Sequence, residues 1–407
     1  MADSAVITGI GTVSAAGCDV DTLQTAFAGE GAERRDVDRS AGYHLSNSAR
    51  TAFLVDDADL KGLIPPLAAR RMCRPSKFAV AAAKLAVDEA GLREVSAHPI
   101  AVVISTSYGP SMITEKLIRQ ILHEGPEATS PSLFTESVAN APAARVALAL
   151  GARGANITIT QRQAGALMAL ARGSLEVLSG RAEAALVGAV DEVTPLLHAI
   201  LDRFGALARP CGSSAELARP FDRQRNGFIV GEGCTMLAVE NEEAAVARGA
   251  RILARVRMTG RAFDPQAPPT NWGHDPGVLA RALRSSLEEK RTPSTSIDGI
   301  VCGGSGSRSG DRLEALVIQE VWGGGQPPDA IVPKAYLGEH GGALLAGAVL
   351  AMSGVRFGPT PGIAEIDPEL SLAPHDGREL SLPARVLVTS FAPGGASSWV
   401  LLERRNR

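Results

Sequence analysis

The chain alternates short apolar runs with amphipathic or alanine-rich stretches along most of its length. The apolar runs have the length and β-branched content of buried strands, and the stretches between them repeat apolar residues at helical spacing. The predicted strands are Ala5–Thr8, Ile100–Ser105, Ile157–Thr160, Ala184–Val190, Thr235–Glu240, Ile252–Met258, Gly299–Cys302 and Arg385–Thr389. The predicted helices are Ser76–Ala90, Met112–Leu122, Ala164–Leu178, Val278–Leu287 and Gly342–Met352. This alternation predicts an α/β protein with largely parallel strands.

Local composition adds a boundary and a loop to this pattern. The run "ALVGAV" (185–190) is apolar at every position, as expected of a strand with helices on both faces of its sheet. A Glu- and Ala-rich stretch at Ala244–Ala250 marks a boundary, which divides the chain into residues 1–247 and 248–407. The segment Asp264–Pro276, rich in Pro, Gly and Asn, is predicted to be a surface loop.

The glycines of "VITGIGTVS" (6–14) follow a predicted strand, as do those of a dinucleotide-binding fingerprint. Ser14 stands where the fingerprint has its third glycine, and no acidic residue closes a βαβ unit about 20 positions later. We therefore predict a structural turn at Gly9 and Gly11 rather than a dinucleotide site.

The segment "NITITQRQAGALMAL" (156–170) predicts a tight junction between a strand and a helix. Many enzymes mount a nucleophile at such a corner. Here the corner side chains are Gln161, Arg162 and Gln163, and none of them can attack a carbonyl carbon. Taken alone, the segment indicates an ordinary buried strand, turn and helix.

Composition excludes several classes of function. The 407 residues carry a formal net charge of −3 and no basic block, which disfavours nucleic acid as a partner. No apolar run reaches the roughly 18 residues of a membrane span. Five scattered cysteines without a CxxC pair predict free thiols in a cytoplasmic protein and no metal site.

Three motifs, in order along the chain, change this picture. They are "PFDRQRNGFIVGEG" (220–233), "VPKAYLGEHGGALLAG" (332–347) and "SFAPGGASS" (390–398), and "VITGIG" (6–11) precedes them. Together they resemble the β-ketoacyl synthases, the condensing enzymes of the thiolase superfamily, from end to end. The resemblance implies a five-layer αβαβα thiolase-like fold of two similar halves. It also implies no cofactor beyond the phosphopantetheine of an acyl carrier protein, which carries the substrate chain.

The resemblance explains the unusual side chains at the strand–helix junction. A working condensing enzyme has a Cys nucleophile where this chain has Gln163. Its two catalytic histidines match Gly303 and Glu339 here, whereas the supporting lysine is retained as Lys334. The resemblance therefore implies a site without a nucleophile or either imidazole.

Two nearby residues are weak substitutes for the missing groups. Cys302 lies at the end of a predicted buried strand, where a thiol is usually a core residue. His340 lies one position past the expected histidine, and one residue on a helix rotates a side chain by about 100°. We predict that neither restores the chemistry.

Gln at the corner, with this set of losses, resembles the chain-length factor (ketosynthase β subunit) of type II polyketide synthases. That resemblance implies a heterodimer with an active ketosynthase α subunit, contact with carrier protein through that partner, and an influence on polyketide or polyene chain length. Two alternatives remain open. One is a priming decarboxylase of malonyl-carrier protein that uses Gln163, although Glu339 would repel the enolate. The other is a non-catalytic scaffold that binds carrier protein.

The predicted helix Met112–Leu122 has an apolar stripe opposite a polar face. We expect most of this stripe to pack on the protein's own sheet. In the resembled family, the start of this helix and the segment matching Ser130–Ser137 border the end of the acyl tunnel. The resemblance therefore implies that Met112, Ile113 and Phe134 form the tunnel floor.

Overall fold

The computed structural model describes residues 4–92, 99–210 and 215–405. Its strands are β1 (Ala5–Val13), β2 (Arg35–Asp36), β3 (Thr51–Ala52), β4 (Ile100–Ser105), β5 (Asn156–Ile159), β6 (Ala184–Asp191), β7 (Gly233–Asn241), β8 (Ala254–Phe263), β9 (Gly299–Val301), β10 (Ala330–Ile331), β11 (Arg385–Phe391) and β12 (Ala396–Glu403). Its helices are α1 (Val20–Ala28), α2 (Pro66–Ala69), α3 (Arg74–Ala90), α4 (Ser111–Glu124), α5 (Pro131–Ser137), α6 (Ala141–Leu150), α7 (Gly165–Leu178), α8 (Pro195–Arg203), α9 (Glu242–Ala247), α10 (Pro276–Glu289), α11 (Arg308–Trp322), α12 (Lys334–Leu337) and α13 (Gly341–Met352).

The strand order shows that the two halves repeat one pattern. The ten-stranded sheet runs β10-β9-β11-β12-β8-β1-β7-β6-β4-β5, and β8 pairs with β1 at its centre. From each outer edge inward, two parallel pairings are followed by two antiparallel ones. The prediction of largely parallel strands is therefore wrong. A strand buried on both faces is apolar throughout in either orientation, so composition alone could not give the direction.

Helices cover and separate the two halves in five layers. Helices α3 and α6 cover the first half, and α10 and α11 cover the second. Helices α7 and α13 lie between the halves and contact strands of both. Every residue of α13 is buried, which explains why this helix has no polar face. The thiolase-like αβαβα arrangement expected from the resemblance is confirmed.

The turn predicted at Gly9 and Gly11 is wrong, since both lie inside β1. A Cβ on Gly9 would lie 2.4 Å from the Ala86 carbonyl oxygen, and one on Gly11 would lie 2.0 Å from the Ala82 carbonyl oxygen. The glycines therefore allow α3 to pack directly on the strand backbone.

Other features of the chain follow the sequence closely. Residues 264–275 form an irregular loop, and Pro276 occupies the first turn of α10. Cys73, Cys234 and Cys302 are buried free thiols, Cys18 is half-buried, and Cys211 lies outside the described residues. Within the described ranges, no helix is both long and apolar enough to cross a membrane. The boundary at 247/248 falls at the end of α9, and the division into domains remains a prediction.

Candidate functional site

The corner between β5 and α7 is held from the second half of the molecule. After β5 ends, a single 3₁₀ turn (Arg162–Ala164) leads into α7. Hydroxyls of Ser390 and Ser398 donate hydrogen bonds to the carbonyl oxygens of Gln163 and Ala164, each at 2.8 Å. Arg162 has a φ of 44°, in the left-handed region that non-glycine residues rarely adopt. The backbone therefore fixes the position of Gln163 tightly.

Gln163 is buried, with 9% of its surface exposed. Its Oε1 atom accepts no hydrogen bond from the described residues. A carboxamide can donate and accept hydrogen bonds, but it is no nucleophile for acyl transfer. The side chain can therefore hold a bound group without forming a bond to it.

Gly303 follows β9 and packs tightly against β11 of the same half. Its N–H donates to Oε1 of Glu314 at 2.9 Å, and the Thr389 hydroxyl donates to the same oxygen at 2.5 Å. A Cβ at position 303 would lie 3.1 Å from both Ser390 Cα and the Thr389 carbonyl oxygen. A histidine introduced at this position would therefore have to displace backbone.

Lys334 and Glu339 form a buried ion pair. Lys334 opens the short helix α12, and its Nζ lies 2.7 Å from Oε1 of Glu339. The other carboxylate oxygen of Glu339 has no hydrogen-bond partner among the described residues. The ammonium of Lys334 is thus neutralised by the side chain that replaces the second histidine.

The two candidate substitutes, His340 and Cys302, are both buried, and the prediction that neither restores the chemistry remains a prediction. His340 is buried, and both its ring nitrogens lack partners in the described chain. Burial, with a contribution from the Lys334 charge, lowers the pKa of His340 to about 3, so its imidazole stays neutral. Cys302 is fully buried, and burial raises the pKa of its thiol well above the usual range. Without a thiolate, Cys302 is inert.

The structure brings the four motif positions together. Ser390 donates a hydrogen bond to Gln163 and also lies against Gly303. The N–H of Gly303 and the charge of Lys334 both act on the carboxyl group of Glu314. Glu339 is bound to Lys334. The four positions thus lie in one region of the structure, and both their assignment to a site and their functional roles remain predictions.

A cleft of about 640 Å³, open to solvent, reaches Gln163. Its lining includes Tyr108, Arg162, Trp272 and Arg308, and Phe204 at its mouth is 79% exposed. Apart from Arg162, which belongs to the corner motif, the sequence motifs gave no sign of these residues, because they come from loops and helix ends far apart in the chain. Only the irregular segment 264–275, which carries Trp272, stood out by its composition.

The predicted floor residues lie elsewhere on the surface. Met112 and Phe134 are 46% and 59% exposed, Ile113 is half-buried, and none of the three lines the cleft at Gln163. They belong to α4 and α5, which are tied together by a 3.0 Å hydrogen bond from the Thr114 hydroxyl to the Ser137 carbonyl oxygen. Their assignment to a tunnel remains a prediction.

The expectation that the rest of the α4 stripe packs on the protein's own sheet is wrong. Leu117 is the buried member of the stripe, whereas Ile118, Ile121 and Leu122 are exposed. Helix α4 packs instead on α5 and on the turn at Pro126–Ala128. Periodicity identified the apolar face but could not show what covers it.

No metal site was predicted, and one group of side chains has ligand-like spacing. Ligand atoms of Asp329, His375 and Asp376 lie within 4.8 Å of one another. The guanidinium of Arg378 is ion-paired with Asp329 and lies 4.0 Å from a carboxylate oxygen of Asp376. A side-chain cation thus already neutralises this group.

Glu314 offers a pH-dependent test of the packing around Gly303. Burial raises the pKa of this carboxyl group to about 7, against 4.5 for an ordinary Glu. The folded state therefore binds the proton more tightly, and Glu314 lowers stability progressively as pH rises from about 4.5 to 7. The free energy of unfolding of Glu314→Gln, taken relative to wild type, should therefore rise by up to about 3 kcal/mol from pH 5 to pH 8. Chemical denaturation of both proteins at the two pH values measures this. An equal change with pH in both proteins would contradict it.

Comparison with known proteins agrees with this architecture. The family model "Beta-ketoacyl synthase, N-terminal domain" matches residues 2–245. The chain is 30% identical to 3-oxoacyl-[acyl-carrier-protein] synthase 2 of Synechocystis sp. over 405 residues, 96% of this chain and 95% of the relative. It is also 30% identical to a putative polyketide beta-ketoacyl synthase 1 of Streptomyces virginiae over 370 residues, 87% of each. The protein belongs to the β-ketoacyl synthase family.

Solved structures of the family show which members this chain resembles. A structure described as the ishigamide ketosynthase/chain length factor matches with a TM-score of 0.87 and 30% identity, over 99% of this chain and 100% of the other. A β-ketoacyl synthase from Burkholderia phymatum, 24% identical, matches with a TM-score of 0.88 over 99% of this chain and 100% of the other, and shows the shared fold. The resemblance to the polyketide branch of the family is confirmed.

Proposed function

We propose that this chain is a catalytically silent ketosynthase-like subunit. It pairs with an active ketosynthase α subunit and helps to set the length of a polyketide or polyene chain carried on an acyl carrier protein. The observation that carries the proposal is the 2.7 Å ion pair of Lys334 with Glu339, in a cluster that has Gln163 at the nucleophile position.

The cluster opposes the chemistry of condensation. Acyl transfer needs a nucleophile at the corner, and Gln163 is not one. Decarboxylation of malonyl builds negative charge on an enolate, which needs positioned hydrogen-bond donors or cations. The Glu339 carboxylate instead places a negative charge at the position of the second histidine, and it pairs with the Lys334 ammonium.

Two surface features support the proposal of a partner subunit. Strand β5 is an edge strand, paired on one side with β4 and half-exposed. Exposed apolar side chains also occur on neighbouring helices: Met112, Ile118, Leu122, Phe134 and Leu148. Unpaired strand edges and grouped apolar side chains are typical of surfaces that are covered in an assembly. We assign this face to the ketosynthase partner, with Met112, Ile113 and Phe134 at the tunnel end.

One observation keeps the decarboxylase as the second candidate. The cleft to Gln163 gives a carrier-bound group a route to this chain's own corner. A non-catalytic scaffold that binds carrier protein would use the same route. Activity separates these two alternatives, since only the decarboxylase consumes malonyl groups.

The proposal predicts catalytic silence. The purified chain, given malonyl-carrier protein, should release no CO2 and form no ketoacyl product above background, because Gln163, Gly303 and Glu339 supply neither nucleophile nor imidazole. Mass spectrometry of the carrier protein measures both reactions. Gln163→Cys alone should remain inactive, since the other two positions are unchanged. Decarboxylation that disappears in Gln163→Ala would instead establish the second candidate.

A further inference from the structure

The first turn of helix α4 is capped by a side chain from a distant part of the chain. The residue before the helix is Pro110, whose side chain has no hydrogen-bonding group and therefore cannot cap it. Instead, Oε1 of Glu192 accepts hydrogen bonds from the Met112 N–H at 2.8 Å and from the Ser111 hydroxyl at 3.3 Å. Glu192 directly follows β6 and lies 80 residues beyond Met112. A long-range bond therefore fixes where α4 begins.

The segment that carries Glu192 is held on both sides. The preceding residue, Asp191, accepts a hydrogen bond at 2.7 Å from the N–H of Ser107, in the loop that leads from β4 into α4. The N–H of the following residue, Val193, donates to a carboxylate oxygen of the buried Glu232 at 3.0 Å. Glu192 therefore acts on α4 from a fixed position.

The surroundings of Glu192 disfavour a carboxylate. The residue is 1% exposed, and its Oε2 has no hydrogen-bond partner among the described residues. Burial raises the pKa of Glu192 to about 7, and the charge of Glu232 adds to this rise. A buried acid with an unpartnered oxygen lowers the stability of a fold. Fold stability therefore does not explain this residue, whereas the bond that it accepts from Met112 gives it a role.

We propose that Glu192 is a positioning residue, which holds Met112 at the end of the acyl tunnel by capping the first turn of α4. The inference rests on the proposed function in taking Met112 as part of the tunnel floor. The side chain of Met112 is 46% exposed, so packing within this chain restrains it little, and the bond at its N–H supplies the restraint. A looser first turn would let Met112 give way to a longer acyl chain.

Hydrogen exchange on the full chain tests the restraint without a partner subunit. Glu192→Met removes both carboxylate oxygens and fills a similar volume. Peptides covering residues 111–116 should then exchange about fivefold to tenfold faster, as the loss of a helix cap predicts. Glu192→Gln keeps an oxygen that can accept the Met112 N–H, and it should exchange as slowly as wild type. If Glu192→Met does not fold, Glu192→Asp serves the same test, because its shorter side chain withdraws the oxygen from Met112.

Asp275→Ala is the matched control. Asp275 caps α10, which has 14 residues like α4, and it accepts the Gly277 N–H at 2.8 Å. This variant should speed exchange at the start of α10 and leave both residues 111–116 and product length unchanged. The control separates a specific effect on α4 from the general cost of losing a cap.

Product analysis of the complex with the ketosynthase tests the consequence. Glu192→Met should shift part of the product toward chains longer by roughly one extender unit, because a floor that gives way removes a steric cost. Glu192→Gln should leave the products as in wild type. Unchanged exchange in Glu192→Met would overturn the inference, and so would unchanged product length while Met112→Ala lengthens the product. A Met112→Ala variant without longer products would instead contradict the tunnel floor of the proposed function, and the exchange data would still decide whether Glu192 holds α4.

Discussion

Replacing Lys334 with Met should destabilise the protein by about 3–5 kcal/mol, the usual cost of leaving a buried charge without its partner. Lys334 is among the largest fully buried side chains, and its ammonium is bonded to Glu339 at 2.7 Å. The substitution leaves the buried Glu339 carboxylate without its counter-charge, and the second oxygen of this carboxylate already lacks a partner in the described chain. With an unfolding entropy of about 2.1 cal/mol/K per residue, this loss lowers Tm by roughly 3–6 °C. Differential scanning calorimetry measures the shift.

The double variant Lys334→Met/Glu339→Leu is the control. It removes both charges together and leaves apolar side chains of similar size, which in buried pairs is often neutral or stabilising. We expect it to recover most of the Tm lost in Lys334→Met. A single variant as stable as wild type would show that the pair is solvated or absent, and the account of how Glu339 replaces a histidine would then fail.

Smaller side chains at the predicted tunnel floor should lengthen the product of the complex with the partner. Met112 and Phe134 lie on the face assigned to the ketosynthase partner, and their exposed side chains would there be covered. A growing chain that overlaps a packed side chain meets a cost of several kcal/mol. Met112→Ala or Phe134→Ala should therefore shift products toward chains longer by roughly one or two extender units. The total turnover of the partner should change less than the product distribution.

Leu148→Ala is the matched control for this prediction. Leu148 is an exposed apolar residue on α6, outside the predicted floor. It should weaken association slightly and leave product length unchanged. Unchanged length in both floor variants, with the complex intact, would place the floor in the partner or elsewhere on this chain.

The sequence predicted many of the strands and helices, and the reasons are local. Strands such as β6 and helices such as α7 carry their own periodicity, and Gly180, with a φ of 68°, ends α7 where the sequence indicated. The positions of Gln163, Gly303, Lys334 and Glu339 were identified by the resemblance of their motifs to the β-ketoacyl synthases, and not by local geometry. Long-range features were missed. The direction of β7 and the close approach of α3 to Gly9 depend on contacts between segments far apart in the chain.

The surroundings of the cluster were missed for the same reason. Tyr108, Trp272 and Arg308 come from three separate segments and meet only in the folded cleft. The ion pair of Lys334 with Glu339 was also not foreseen, although the two residues lie five positions apart. Its formation depends on Gly338, whose φ of 87° turns the chain between them.

One reconstitution tests the central claim of a silent subunit that sets chain length. The partner ketosynthase, carrier protein and malonyl donor are combined with wild-type chain, Gln163→Ala or Phe134→Ala, and product masses and rates are measured. We predict that Gln163→Ala leaves product length and rate unchanged, whereas Phe134→Ala lengthens the product. Loss of product in Gln163→Ala, together with unchanged length in Phe134→Ala, would contradict the account and make this chain a catalytic component.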